Sequence, residues 1–252
     1  MSTPDGGPQG AEKTGLSERQ PVFLLPMAVT VLAGAMVVVY LLETFALNEM
    51  QRLDLSLWFG FLPVRLVTPE LYPGGLLPLV WTPLSHAFLH AGFEHLAMNV
   101  VWLAIFATPV ARRYGAGPLL ILFFAASAAG ALAFAATTLP EIALMVGASG
   151  GVAGLTGAAI RFMFQPVLYA VHPVTGEKVI LGRRLASIRE VLSHPTARNF
   201  ALIWIVLNAA VPLLPLLTGA NVQIAWQAHL GGFFAGFFLV PLFERRDGRM
   251  PQ

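Results

Sequence analysis

Long apolar runs alternate with short polar connections along most of this chain. A helix that crosses a bilayer needs about 20 mostly apolar residues. Six stretches reach or approach that length, at about 22–42, 87–109, 117–138, 148–168, 199–217 and 225–243. The pattern predicts an all-α polytopic membrane protein, a bundle of six transmembrane helices. The third run, "GPLLILFFAASAAGALAFAATT", has Pro118 in its first turn, where a proline is tolerated, and small residues that let helices approach closely. The second, fourth and sixth are interrupted by polar residues: His95 and Asn99, Ser149, and His229.

The flanks and connections divide the chain further. Residues 1–21 are polar and rich in Gly, Pro, Ser and Thr, which predicts a disordered cytoplasmic tail. Asp5, Glu12 and Glu18 argue against a mitochondrial presequence, and the apolar run that follows is too long for a signal-peptide core, so it is expected to stay as an anchor. A membrane domain is predicted over 22–243 and a second cytoplasmic tail over 244–252. The long connection at about 43–85 carries Trp58, Phe59, Phe61, Tyr72 and Trp81, a mixture that suits a segment lying in the bilayer interface, aromatic side down. The connection at about 165–198 has a turn at "HPVTGEK" between β-favouring stretches, then "LASIREVLSHP", a short basic helix ended by Pro195.

Composition strengthens the membrane reading. The chain is 56% hydrophobic and 11% charged, where a soluble domain has about a quarter of its residues charged. With no cysteine, disulfides and thiolate metal sites are excluded. The net charge of +2 gives no case for a nucleic-acid partner. The distribution of charge says more than its sum. Arg112, Arg113, Arg161, Lys178, Arg183, Arg184, Arg189, Arg198, Arg245, Arg246 and Arg249, with Lys13 and Arg19, fall on one side if the N-terminus is cytoplasmic, leaving only Arg52 and Arg65 on the other. Both termini are then cytoplasmic. The second, fourth and sixth runs go from outside to inside, which puts His95, Ser149 and His229 at one shallow depth near the outer surface. Polar residues within spans usually face the bundle interior and mark function.

The densest candidate chemistry lies in "MVGASGGVAGLTG", residues 145–157. Glycines at this spacing serve close helix packing, and they also serve to expose a nucleophilic serine; the pattern leaves both readings open. His95 and Asn99 are four apart and share a helix face, as interhelical hydrogen-bonding partners would. His86 and His90 are also four apart, but HExxH is absent and no cysteine or acidic motif completes a metal site, so no metal and no cofactor are expected. In "WQAHLGGFFAG", Gly232 and Gly236 form a GxxxG packing face, and His229 lies one turn before Gly232 on nearly the same face. A helix that begins at Ser149 and docks there would meet the histidine.

A His with Asn four residues on, then "GASG" at 147–150, then "AHLGG" at 228–232 continuing to Gly236, on three separate helices, resembles the rhomboid family of intramembrane serine proteases. The resemblance covers about residues 22–243 and implies a six-helix bundle of the rhomboid type. It implies a Ser149–His229 dyad, with His95, Asn99 and the Ser149 N–H stabilising the oxyanion. Gly147 and Gly150 would let a substrate backbone approach Ser149, since neither carries a Cβ. The implied partners are transmembrane protein substrates and the lipid bilayer, in a bacterial cytoplasmic membrane. A catalytically silent rhomboid-like protein that binds membrane helices as a chaperone is the alternative. Two positions depart from the family pattern. Trp81 is followed by Thr82 where family members often have arginine, so the anchoring of the 43–85 connection is open. Ala153 stands where some members carry an aromatic that packs against the histidine, so the motif does not say what orients His229.

Overall fold

The computed structural model describes residues 25–171, 176, 178–213 and 224–244. Its α-helices are α1 (Met27–Ala46), α2 (Glu49–Phe59), α3 (Thr82–Ser85), α4 (Phe93–Tyr114), α5 (Ala116–Thr138), α6 (Ser149–Met163), α7 (Ile188–Ser193), α8 (Pro195–Ala209) and α9 (Trp226–Leu239). One antiparallel hairpin, β1 (Val167–Val171) with β2 (Lys178–Arg183), leads from α6 to α7. The predicted tails 1–21 and 244–252 lie outside the described residues, except Glu244.

Among the described residues five helices are long and apolar enough to cross a membrane: Met27–Ala46, Phe93–Tyr114, Ala116–Thr138, Pro195–Leu213 and Trp226–Phe243. The remaining predicted crossing is α6, whose 15 residues rise roughly 22 Å against a hydrocarbon core of about 30 Å. It sits at the centre of the bundle, with every residue from Gly150 to Phe162 buried.

Several boundaries differ from those expected: α1 is Met27–Ala46, α6 ends at Met163, and the starts of α4 and α8 differ for local reasons. Helix α4 starts at Phe93 instead of about 87, because His86–Phe88 form a tight 3₁₀ turn and Gly92 caps the helix. His86 and His90 therefore share no helix face. Pro195 opens α8 in addition to following α7: it occupies the first turn, where its missing N–H is not needed, and the His194 ring accepts from the Ala197 N–H at 3.4 Å.

The core is built on glycine. Helix α6 packs most extensively against α9. The carbonyls of Gly150 and Gly154 lie where a Cβ on Gly232 and Gly236 would have to be, so the two backbones touch. At the far end from Ser149, Arg161 donates through Nε to the Ala186 carbonyl at 2.7 Å and through Nη1 to that of Phe237 at 2.9 Å. Arg113 pairs with Glu244 at 2.6 Å, and the Tyr114 hydroxyl donates to the same carboxylate at 2.9 Å. The far ends of α4, α6 and α9 are thus tied, which sets the register of their near ends. Part of the 165–198 connection belongs to this core: Ala186 and Val191 are buried against Ile160, Phe233 and Phe237.

The 43–85 connection is compact. Trp58, Phe61, Tyr72 and Trp81 turn on one another or inward, while Phe45 and Phe59 join Leu66, Leu71, Leu77 and Val80 in its exposed apolar surface. Trp58 stacks on Trp81 at 6.3 Å, the Trp81 indole donates to the Trp58 carbonyl at 2.8 Å, and Phe61 is buried. Arg65, with no exposed surface, anchors the segment. It donates to the carbonyls of Pro73 at 2.7 Å, Gly75 at 3.0 Å and Leu57 at 2.7 Å, and lies over the Tyr72 ring. Arg65→Leu leaves three carbonyls without this donor and is expected to cost at least about 3 kcal/mol, since each buried unpaired group costs about 1–3 kcal/mol. Arg65→Lys should recover only part, because the ammonium lacks the fork. Thermal unfolding in detergent checks this, and an Arg65→Leu protein that melts like wild type would refute the anchoring role.

Candidate active site

Ser149 opens α6, and the backbone before it is held from two sides. Met145 and Phe61 exchange N–H···O bonds of 2.9 Å in both directions. Two residues on, the Gly147 N–H donates to the His86 carbonyl at 2.9 Å, and the His86 ring approaches the Gly147 carbonyl through Nδ1 at 3.2 Å. A carbonyl only accepts, so Nδ1 carries the proton. Burial pushes the His86 pKa down to about 4, which keeps the ring neutral at pH 7. Gly147 has φ +116°, a conformation that side chains rarely adopt, and a Cβ there would lie 2.6 Å from His95 Nε2. Glycine is needed twice over: for the turn, and to leave room for the His95 ring.

Ser149, His229, His95 and Asn99 all line one open cleft of about 1320 Å³. Each comes from the same end of its helix: His95 and Asn99 from the first two turns of α4, Ser149 from the start of α6, His229 from the first turn of α9. Both Ser149 and His229 sit beside the glycine contacts of α6 and α9, since Gly150 follows the serine and Gly232 lies three residues after the histidine. Asn99 donates one amide hydrogen to the His95 carbonyl at 2.9 Å, which leaves a second for a ligand. The His95 ring meets that of His90 edge-on at 5.2 Å. Neither Gly147 nor Gly150 lines the cleft. Gly147 is covered by His95, and Gly150 faces Ala228 and α5, so both make packing contacts at this site.

One cleft residue escaped the sequence reading. Asn208 on α8 brings Oδ1 to 2.7 Å from His229 Nδ1. The available signal was a single amide inside the apolar stretch "FALIWIVLNAAVPLL", and a polar residue in a span usually marks function. Among the described residues no group of three or more His, Cys, Asp or Glu is placed to hold a metal ion.

Comparison with known proteins turns on the same segment. The family model described as Rhomboid domain matches residues 78–246, a stretch that includes His95, Asn99, Ser149 and His229. The chain belongs to the rhomboid family. It is similar to Rhomboid-related protein 3 of Homo sapiens, 36% identical over 96 residues, covering 38% of this chain and 23% of the relative. It is similar to RHOMBOID-like protein 5 of Arabidopsis thaliana, 28% identical over 159 residues, covering 63% of this chain and 42% of the relative. With Rhomboid protease GluP of Bacillus subtilis (strain 168) it shares 29% identity over 159 residues, covering 63% of this chain and 25% of the relative. The chain thus spans less than half the length of each of these relatives. As a rhomboid-family protein with several apolar helices, it is an integral membrane protein.

Proposed function

We propose that this chain is an intramembrane serine endopeptidase that cleaves transmembrane helices of other proteins. The observation that carries the proposal is the convergence of Ser149, His229, His95 and Asn99 on one cleft whose walls include apolar Met98, Trp102 and Leu207. The Ser149 hydroxyl attacks the scissile carbonyl while His229 takes its proton, since a serine needs an adjacent base to be a competent nucleophile. The oxyanion receives the Ser149 N–H, unpaired because it lies in the first turn of α6, and the free amide hydrogen of Asn99, with His95 beside them. His229 returns the proton to the leaving amine, and water then releases the acyl group from Ser149. A helical substrate hides its carbonyls in hydrogen bonds, so one with Gly or Pro near the cut is the easier to open.

The proposed architecture is a rhomboid-type domain over 22–243 with six crossings, α6 being the short one, and cytoplasmic tails over 1–21 and 244–252. The distribution of Lys and Arg supports this orientation. Reporters fused after residues 115 and 180 are expected on the cytoplasmic side and one after 142 outside; a cytoplasmic signal at 142 would refute it. The activity is tested by exposing the purified protein to a fluorophosphonate. Labelling is expected, and is expected to vanish in Ser149→Ala. A folded wild-type protein that takes no label is the result that the silent, helix-binding alternative requires.

A further inference from the structure

We infer that Asn208 is the positioning residue of His229: its side-chain oxygen holds the imidazole in the tautomer and orientation that leave Nε2 free to take the Ser149 proton. The inference rests on the reading of the chain as a serine protease. It supplies what the sequence left open, because the position four residues after the serine is Ala153, which has no ring to pack on the histidine.

The hydrogen bonds fix the assignment. Asn208 Nδ2 donates to the Trp204 carbonyl at 2.8 Å, one turn back on α8. The amide nitrogen being used there, Oδ1 is the atom that faces His229 Nδ1 at 2.7 Å. An amide oxygen only accepts, so Nδ1 bears the hydrogen and Nε2 keeps its lone pair. A base fixed in this way by a third residue is the arrangement that the serine and cysteine hydrolases reach with Asp or Asn.

The packing fixes the register. Trp204 stacks on Phe233, with ring centres 4.6 Å apart and planes within 18°. Trp204 and Asn208 are four apart on α8, as His229 and Phe233 are on α9, so each pair lies on one face of its helix. The aromatic rung sets the height of α8 against α9, and the amide then falls at the imidazole. Nothing else about α8 asks for an amide. Ala197 is its one buried residue among those described, and beyond the exposed polar Thr196, Arg198 and Asn199 of its start the exposed positions Leu202, Ile203, Val206 and Leu207 are apolar. Polar residues are costly within a span, and this one points at the proposed base.

The test compares wild type, Asn208→Leu and Asn208→Asp as purified full-length chains in detergent. Leucine keeps α8 apolar and removes the acceptor, while aspartate keeps an acceptor oxygen. The readouts are the rate of fluorophosphonate labelling at Ser149, kcat and KM on a single-span substrate, and the thermal midpoint. Asn208→Leu is expected to lower kcat and the labelling rate by about 10- to 100-fold with KM within about threefold, because the base loses orientation and not substrate contact. Asn208→Asp should restore at least a third of the lost rate. Labelling of Asn208→Leu within twofold of wild type overturns the inference and leaves the protease reading intact. So does a lowered thermal midpoint without slower labelling of the folded protein, or equal loss in the Leu and Asp variants. A wild type that takes no label at Ser149 overturns the protease reading and this inference with it.

Discussion

Ser149→Ala and His229→Ala are each expected to abolish turnover, and the double variant to be no worse than either. A nucleophile and its base act as a unit, so removing one leaves the other with nothing to do, and single losses of roughly 10⁴-fold or more are usual for such pairs. His95→Ala and Asn99→Ala should cost less, on the order of 10- to 10³-fold, because each takes away part of the donor set around the oxyanion. These two should not be additive, since the Asn99 amide bonds the His95 carbonyl and neighbours that share a partner couple. EDTA should leave the rate unchanged if the chemistry is as proposed. Turnover of a single-span substrate in detergent, with circular dichroism to confirm folding, measures all of this. A folded Ser149→Ala protein with full activity would end the assignment, whatever family the chain belongs to.

Gly236→Ala is expected to lower stability and activity together through the addition of a single methyl group. The new methyl would overlap the Gly154 carbonyl oxygen, a backbone atom that has no rotamer to escape into. Helices α6 and α9 would have to separate along their main contact, and overpacking of this sort costs typically about 1–3 kcal/mol and sometimes more. Function should fall further than stability: His229 is on α9 and Ser149 on α6, and a shift of about 1 Å between reacting groups can cost about 10²-fold. Gly232→Ala should behave alike, because the Gly150 carbonyl occupies its space. Gly34→Ala is the control, since a Cβ at Gly34 meets nothing within 4 Å. Thermal midpoints and Ser149 labelling rates of the three variants decide the matter. A Gly236→Ala protein that melts and labels like wild type would show that the helices are not held by this contact.

What the sequence revealed depended on what each helix touches. Helix α5 was legible almost to the residue, at about 117–138 against Ala116–Thr138, because an unbroken apolar run between Gly115 and Leu139 has little other reading. Helix α6 is different. Surrounded by protein, it need not be long or strongly apolar, and its glycine motif located it better than its hydropathy. The start of α4 was misjudged because "HAFLHAG" is apolar enough to pass for helix, while its backbone turns at His86–Phe88. The gathering of Ser149, His229, His95 and Asn99 was legible from spacing and shared depth. Arg65 and Asn208 were not legible. Each is a single polar residue in an apolar stretch, and its meaning lies in carbonyls or a ring brought to it by distant parts of the chain.

The complete enclosure of α6 also bears on how this sequence can change over generations. From Gly150 to Phe162 every side chain is buried, so a substitution anywhere on that helix meets a neighbour, and drift there should be nearly frozen. Helix α8 is the opposite, free to exchange one apolar residue for another along its exposed face, with Ala197, Trp204 and Asn208 as its fixed points. The exposed cleft walls at Met98, Trp102 and Leu207 lie outside the frozen helix. A lineage of this chain could therefore acquire a taste for new target helices by revising those walls, while the nucleophile and everything packed around it stay as they are.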